Sequence, residues 1–338
     1  MDPHAASKDT ESVVRGNLLE EIPCIFCGRK NQQVAIEENG YQGRKCDQCE
    51  VIYVSPRPAP ISVVSRYTDV SAQGTGGATG RSVEKILRAR HAISIIKRYV
   101  TSGSVLEIGC GAGHFLVEAR RRGFEVYGVE PDARLASQIQ VRLGIPCEAG
   151  VFRKSCFAAT EFDVIYHCDV ISHFADPLME FETINERLRP GGLLVFETGN
   201  FAEVDRKYYS AIGMFQYPDH LFFFGERSLR ELLRRTGFVV GRVYRYSTLW
   251  SLLLRRIIMQ TLGRGRRSVQ PAAITGGVAT SNPCARGLLQ KVRWPVRRWI
   301  QGALALWQHG ACYGLGSVTE RSHRPQTLIV VAKKRGQE

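Results

Sequence analysis

The sequence contains no uninterrupted apolar run near the roughly 18–20 residues that a membrane-spanning helix requires, because Arg255, Arg256, Arg297 and Arg298 interrupt the candidates. Its first 17 residues, Met1 to Asn17, lack the apolar centre of a secretory signal, so a cytoplasmic protein is the expectation. No internal repeat or low-complexity tract is visible, which excludes solenoid, collagen-like and coiled-coil architectures. Acid is scarce late in the chain: after residue 240 only Glu320 and Glu338 face 17 Lys plus Arg, whereas residues 1–240 carry 29 bases against 30 acids. The formal charge of +14 therefore belongs to the last part of the chain, which also holds all four Trp (Trp250, Trp294, Trp299, Trp307). What is present otherwise is ordinary: 338 residues, 44% hydrophobic, fit about two packed domains.

Four of the ten Cys occur as Cys24-x-x-Cys27 and Cys46-x-x-Cys49 with 18 residues between the pairs. Two such pairs deliver four thiolates to a tetrahedron, the pattern of a zinc ribbon, here expected over residues 20–60. Gly28 and Gly43 are expected to supply the backbone angles of the two knuckles. Four sulfurs leave no open coordination position, so Zn2+ would be structural. The remaining Cys, including Cys110, Cys168 and Cys284, show no ligand spacing.

A tail (1–19) and a linker with a lead-in helix (61–100, its Gly/Ser/Thr loop at 68–82) flank the ribbon, with apolar positions from 83 to 100 at helical spacing. The pattern then alternates. Strands are expected near 104–108, 125–130, 146–149, 162–167 and 192–197, with helices near 115–122, 132–143 and 177–188. Strands near 239–246 and 327–333 follow, with a further helix at 226–236. Such alternation makes a Rossmann-like α/β sheet, with functional residues in the loops after the strands.

The first of these strands runs into Glu107-Ile108-Gly109-Cys110-Gly111-Ala112-Gly113, and the second ends in Glu130-Pro131-Asp132. A carboxylate at Glu130 can accept ribose hydroxyls, and Glu107 suits a cationic ligand rather than a pyrophosphate. Together with Phe162-Asp163-Val164-Ile165, Asp169 to Pro177, Leu188-Arg189-Pro190-Gly191-Gly192 and Thr236-Gly237-Phe238, these motifs resemble the class I S-adenosylmethionine-dependent methyltransferases from about residue 83 to 237. The resemblance is to ubiquinone-type O-methyltransferases and sugar methyltransferases. It implies a seven-stranded sheet over 101–246 plus 326–335. By the same resemblance Glu107, Gly109 and Gly111 would hold the amino-acid part of S-adenosylmethionine and Glu130 its ribose, with Cys110, Gly113, Pro131 and Asp169 also among the cofactor-binding residues.

Methyl transfer to a hydroxyl needs a base, and histidine is the usual choice. His220, in Tyr217-Pro218-Asp219-His220-Leu221, is the favoured base. The aromatic residues Phe201, Tyr208, Tyr209, Phe215 and Tyr217 are expected to wall its pocket, against a structural alternative in which His220 caps the helix at 226–236. His173, with Asp169, occupies the place where ubiquinone-type relatives carry an acidic motif that can hold a divalent cation, but Ser172 replaces its Glu, which argues against a metal. His167 reads as a satisfied core residue and Cys168 as a neutral thiol, although a covalent role for that thiol is the alternative. Asn200 is expected to border the substrate.

Between the last two strands lies a basic, Trp-rich helical insertion, 247–325. Trp and aliphatic residues beside Arg suit a membrane surface contact through 247–310 at the inner face, or a lipid-linked substrate; structural cover or a homodimer contact is the equal alternative. Nucleic acid is less favoured, since the aromatics interleave with aliphatic residues. The expected acceptor is thus a small molecule, sugar, glycan or lipid-linked hydroxyl. Sugar C-methylation and RNA methylation are the alternatives.

Overall fold

The structure is a computed structural model that describes residues 13–14, 17–59, 83–212, 215–249, 294–318 and 323–336. The expected loop at 68–82, the apolar stretch from Trp250, the linker after it and Cys284 lie outside the described residues.

Among the described residues there are three sheets, a small one of Val13–Val14, Asn17–Glu20 and Arg57–Pro58 and two larger ones that organise the molecule. In the N-terminal one of these two, β1 (Val34–Glu38), β2 (Tyr41–Lys45) and β3 (Ile52–Val54) are antiparallel. Asn39 and Gly40 both adopt positive φ, 55° and 81°, which is what a two-residue hairpin loop between β1 and β2 requires.

In the second sheet, β4 (Gly103–Ile108), β5 (Phe124–Glu130), β6 (Cys147–Ala149), β7 (Phe162–Cys168) and β8 (Leu188–Gly199) are parallel. A two-residue strand β9 (Phe222–Phe223) follows, then β10 (Phe238–Ser247) and β11 (Gln326–Lys334). The sheet order is β6-β5-β4-β7-β8-β11-β10, with β11 antiparallel to both neighbours. Sequence order reverses at β4, so the carboxyl ends of β4 and β7 form the crevice in which ligands of open α/β sheets bind. The central strands are buried on both faces, as at Leu106, Ile165, Leu194 and Ile329, and the helices supply the cover.

Helix α1 (Val83–Ile96) lays Ala89, Ala92, Ile93 and Ile96 on the sheet, and α2 (His114–Arg121) starts from the glycine loop. Next, α3 (Ala133–Gln138) is capped by Asp132, and α4 (Pro177–Arg187) by Asp176 with Pro177 in its first turn. α5 (Glu226–Arg235) begins at Gly225, whose N–H donates to the Ser228 hydroxyl. His220 takes no part in that cap.

Part of the expected insertion is a helix, α6 (Trp294–His309), continued through Gly310–Leu315 and packed on α1. Leu306 and Trp307 of α6 remain exposed, whereas Ala305 and Ala311 are buried. No helix among the described residues is long and apolar enough to cross a membrane.

Two expectations, the aromatic pocket wall and the knuckle angle at Gly43, are corrected here. β9 does not join the large sheet; it pairs antiparallel with β3 and completes the ribbon sheet in the order β9-β3-β2-β1. The expected pocket wall is this docking surface: Phe201, Tyr209, Phe215 and Tyr217 pack with Phe223 against Ile36, Tyr41, Ile52 and Val54 of the ribbon. Gly43 does not provide a knuckle angle either. It sits inside β2, and a Cβ there would collide with the Tyr217 hydroxyl, which is buried and without a hydrogen-bond partner.

These two residues give opposite predictions. Gly43→Ala overpacks the interface and should cost about 1–3 kcal/mol. Tyr217→Phe removes an unpaired buried hydroxyl and should be neutral or stabilising. Denaturant midpoints measured side by side check both, and equal losses would contradict the packing account.

Candidate functional site

The crevice between β4 and β7 holds a cavity of about 230 Å³, lined on one wall by Glu107, Gly109, Cys110, Gly111 and Phe115 and on the other by Tyr166, Cys168 and Asp169. Lys85, Arg88 and Ala89 of α1 complete it. The chain turns into the cavity at Gly109 (φ 72°) and Gly111 (φ 54°), left-handed angles that a side chain rarely adopts. A Cβ on Gly111 would meet nothing within 4 Å, so the backbone itself forms the cavity wall there.

Glu107 is 6% exposed and its Oε2 has no hydrogen-bond partner. Burial first, then the nearby Glu130, push its carboxyl well above the ordinary range. An acid in this state is completed by a cationic donor, whose arrival would draw it into the ionised form. Glu130 stands behind the glycine loop rather than on the cavity wall. Its Oε2 accepts from the Gly111 N–H at 2.7 Å and its Oε1 from the Asp132 N–H at 3.1 Å. Burial raises its carboxyl and these two bonds lower it. Gly113 and Pro131 also lie off the cavity lining; Gly113 is the N-cap of α2, with Ile139 and Leu143 packed where its Cβ would be.

Sequence reasoning missed the polar network that holds Arg88 and Asp169 of the cavity lining. Glu197, at the end of β8, is 1% exposed. It accepts from Arg88 Nε at 3.0 Å and from the Tyr313 hydroxyl at 2.7 Å. Arg88 also reaches Asp169 Oδ2 at 2.7 Å. Burial works against the charge on Arg88, but the Glu197 and Asp169 carboxylates outweigh it and hold the guanidinium protonated. The available signal was Lys85 and Arg88 three residues apart on the helix that precedes the glycine loop. Nothing in the local sequence pointed to Tyr313.

The histidines fall into two groups. His173 and His220 are brought together, with ring centroids 4.6 Å apart. His173 Nδ1 lies 2.9 Å from the Asp219 carbonyl, so that nitrogen carries the proton as donor. Burial, then His173, lower His220 to about 4, and Asp169 acts on both rings in the opposite sense. Both are therefore neutral at pH 7. Asp169 is the element shared by the cavity and the histidine pair.

His167 is buried as expected but is not satisfied: neither ring nitrogen has a partner, and the ring stacks on Phe196 at 5.0 Å. Cys168 has its thiol pushed well above the ordinary range by burial, then by Asp169, which leaves no basis for a thiolate nucleophile. Asn200 is buried in a structural contact. Its amide donates to the Arg324 carbonyl at 3.0 Å and accepts from the Gln326 N–H at 2.8 Å, tying β8 to β11.

The Sγ atoms of Cys24, Cys27, Cys46 and Cys49 all lie within 4.8 Å of one another, with Cys27 and Cys46 3.6 Å apart. A tetrahedron of about 2.3 Å zinc–sulfur bonds has edges of about 3.8 Å, so the donor set fits one zinc ion. Burial pushes the Cys24 thiol up to about 11, and four adjacent thiolates need a cation.

A family model described as a methyltransferase domain matches residues 83–243. A ubiquinone biosynthesis O-methyltransferase from Cereibacter sphaeroides (strain KD131) is 34% identical over 102 residues, 28% of this chain and 41% of that protein. One from Ruegeria pomeroyi is 29% identical over 171 residues, 44% of this chain and 66% of its own length. The chain thus spans about two fifths of the first of these relatives. Among solved structures, coclaurine N-methyltransferase bound to N-methylheliamine and SAH covers 81% of this chain and 87% of its own at 13% identity, with a TM-score of 0.44.

The buried histidines generate a pH prediction. Folding lowers His167 to about 3 and His220 to about 4, against roughly 6.5 in an unfolded chain. Below about pH 6.5 the unfolded chain therefore takes up protons that the folded one refuses, and stability falls as pH falls. His167→Leu removes one such proton and should flatten the limb between pH 6 and 4 by up to about 1.4 kcal/mol per pH unit. Melts at several pH values, parallel to wild type throughout, would count against a neutral buried His167.

Proposed function

We propose, from the premise that residues 83–243 form a class I S-adenosylmethionine-dependent methyltransferase domain, that the protein methylates a hydroxyl of a small molecule, sugar, glycan or lipid-linked acceptor. The observation that carries this reading is Asp169, which lines the cofactor cavity and acts electrostatically on the His173 and His220 pair. S-adenosylmethionine, when bound, supplies a methyl group on a positively charged sulfur. Glu107, with its unpartnered Oε2, is the acceptor for the cofactor's ammonium, and Lys85 and Arg88 on α1 face its carboxylate. The glycine loop lets the backbone approach without side-chain interference, and Glu130 fixes that loop from behind.

On the acceptor side, His220 is the base. Its neutral imidazole takes the hydroxyl proton as the oxygen attacks, and His173, held by the Asp219 carbonyl, orients it. Asp169, in reach of both rings electrostatically, stabilises the imidazolium that results. The four cysteines hold a structural zinc that takes no part in the transfer.

Calorimetry with S-adenosylhomocysteine should show binding that Gly111→Asp abolishes, since that side chain enters open space and adds a further carboxylate near Glu107 and Glu130. Asp tolerates the left-handed backbone, so the melting temperature should hold; undiminished binding would overturn the cavity assignment. Methyl-label transfer into fractionated extract should fall by roughly 10²–10⁴-fold in His220→Ala with cofactor affinity intact. Label appearing in RNA would refute the acceptor class. Metal analysis should give about one zinc per chain, lost in Cys46→Ser with a lowered melting temperature; a fully stable metal-free protein would refute the structural role.

A further inference from the structure

The ribbon is attached to the segment that carries His220, and the attachment is specific. Glu38, at the tip of the β1–β2 hairpin, accepts the Phe215 N–H on Oε1 at 3.0 Å and the Tyr217 N–H on Oε2 at 2.8 Å. Asn39, next in the hairpin, donates its amide to the Tyr217 carbonyl at 2.8 Å. The Tyr217 backbone is thus held through both its N–H and its C=O by two adjacent ribbon residues. Past His220, the Val54 N–H of the ribbon donates to the Leu221 carbonyl at 2.9 Å, and Phe222 and Phe223 pair with β3.

The opposite side of the same segment faces the methyltransferase domain. The Leu221 N–H donates to the Ser172 carbonyl at 2.7 Å, and the Asp219 carbonyl receives His173 Nδ1. Residues 215–223 therefore lie clamped between the ribbon hairpin and the loop that follows β7. The cofactor cavity shows no such dependence: its lining runs from Lys85 to Asp169 and includes no ribbon residue.

We infer that the ribbon orders the acceptor site from behind, with Glu38 and Asn39 acting as positioning residues that set the His220 segment against His173. This rests on the reading of His220 as the acceptor-side base. On this account the four cysteines, by folding the ribbon, order the acceptor half of the site and leave the cofactor half independent. A ribbon that merely covered apolar surface would need Ile36, Ile52 and Val54 against Tyr217 and Phe223, but no paired charged acceptor on two backbone N–H groups.

The test uses the full chain and S-adenosylhomocysteine, so the acceptor need not be known. In Glu38→Ala, amide exchange over residues 215–223 and carbethoxylation of His220 by diethyl pyrocarbonate should each quicken roughly tenfold or more, as expected for losing two charge-assisted hydrogen bonds. S-adenosylhomocysteine affinity should stay within about twofold, because no cavity residue is touched. Glu38→Gln, which keeps one carbonyl acceptor, should recover part of the protection. Asn39→Gly keeps the hairpin's backbone angles and removes only the amide, so it should shift both readouts in the same direction by less. Unchanged exchange and His220 reactivity in Glu38→Ala would overturn the inference, as would a parallel loss of S-adenosylhomocysteine affinity. Failure of the wild-type protein to bind S-adenosylhomocysteine would overturn the methyltransferase reading instead.

Discussion

Glu197 sets the constraint on which the cleft depends. A carboxylate 1% exposed at the end of a central strand is tolerated only if positive charge and hydrogen-bond donors meet it there. The donors come from opposite ends of the chain: Arg88 from the helix that precedes the sheet, and Tyr313 from the segment that precedes its last strand. One buried carboxylate thus ties α1 and the C-terminal helical segment together beside the cavity that Arg88 lines. His91 on α1 extends this contact, with its Nε2 2.9 Å from the Tyr246 hydroxyl and its ring 4.3 Å from that of Tyr313. The packing of α6 on α1 follows from it, and the exposed Leu306 and Trp307 lie on the same helix.

Much of the fold was legible because its signals are local. Short apolar strands followed by helices, a glycine loop between the first pair, and an acid at the end of the second strand need only neighbours in sequence to be read. The order of the large sheet then follows from the right-handed crossover rule and the family resemblance. The cysteine tetrad was legible for the same reason, since two C-x-x-C knuckles fix their own geometry. Glu197 and Tyr313 were not, because their meaning arises only from a contact 116 residues apart in the chain.

The aromatic stretch shows how composition misleads when the partner is distant. Phe201, Tyr209, Phe215 and Tyr217 look like a ligand wall in sequence because aromatics without helical or strand periodicity usually face something other than their own element. Here they face the ribbon, and β9 adds a fourth strand to it. Gly43 was misread in the same way: a glycine near a metal knuckle suggests a turn, while the demand came from a tyrosine ring 174 positions later that needs the space. In both cases the contact crosses between two parts of the chain that seemed independent.

Asp169 is the point where these constraints converge on chemistry. Its φ of 56° puts it in the left-handed region, which an Asp tolerates better than most side chains. Its N–H donates to the Glu197 carbonyl at 2.9 Å and its carboxylate pairs with Arg88, so it cannot relax without releasing the charge network below it. The same carboxylate raises the thiol of Cys168 and opposes the lowering of His173 and His220. The electrostatics therefore separate two nucleophile classes. A thiolate is suppressed on one side of Asp169, whereas on the other a neutral imidazole is left able to accept a proton and to be stabilised once it has. That asymmetry argues against covalent catalysis through sulfur at this cleft.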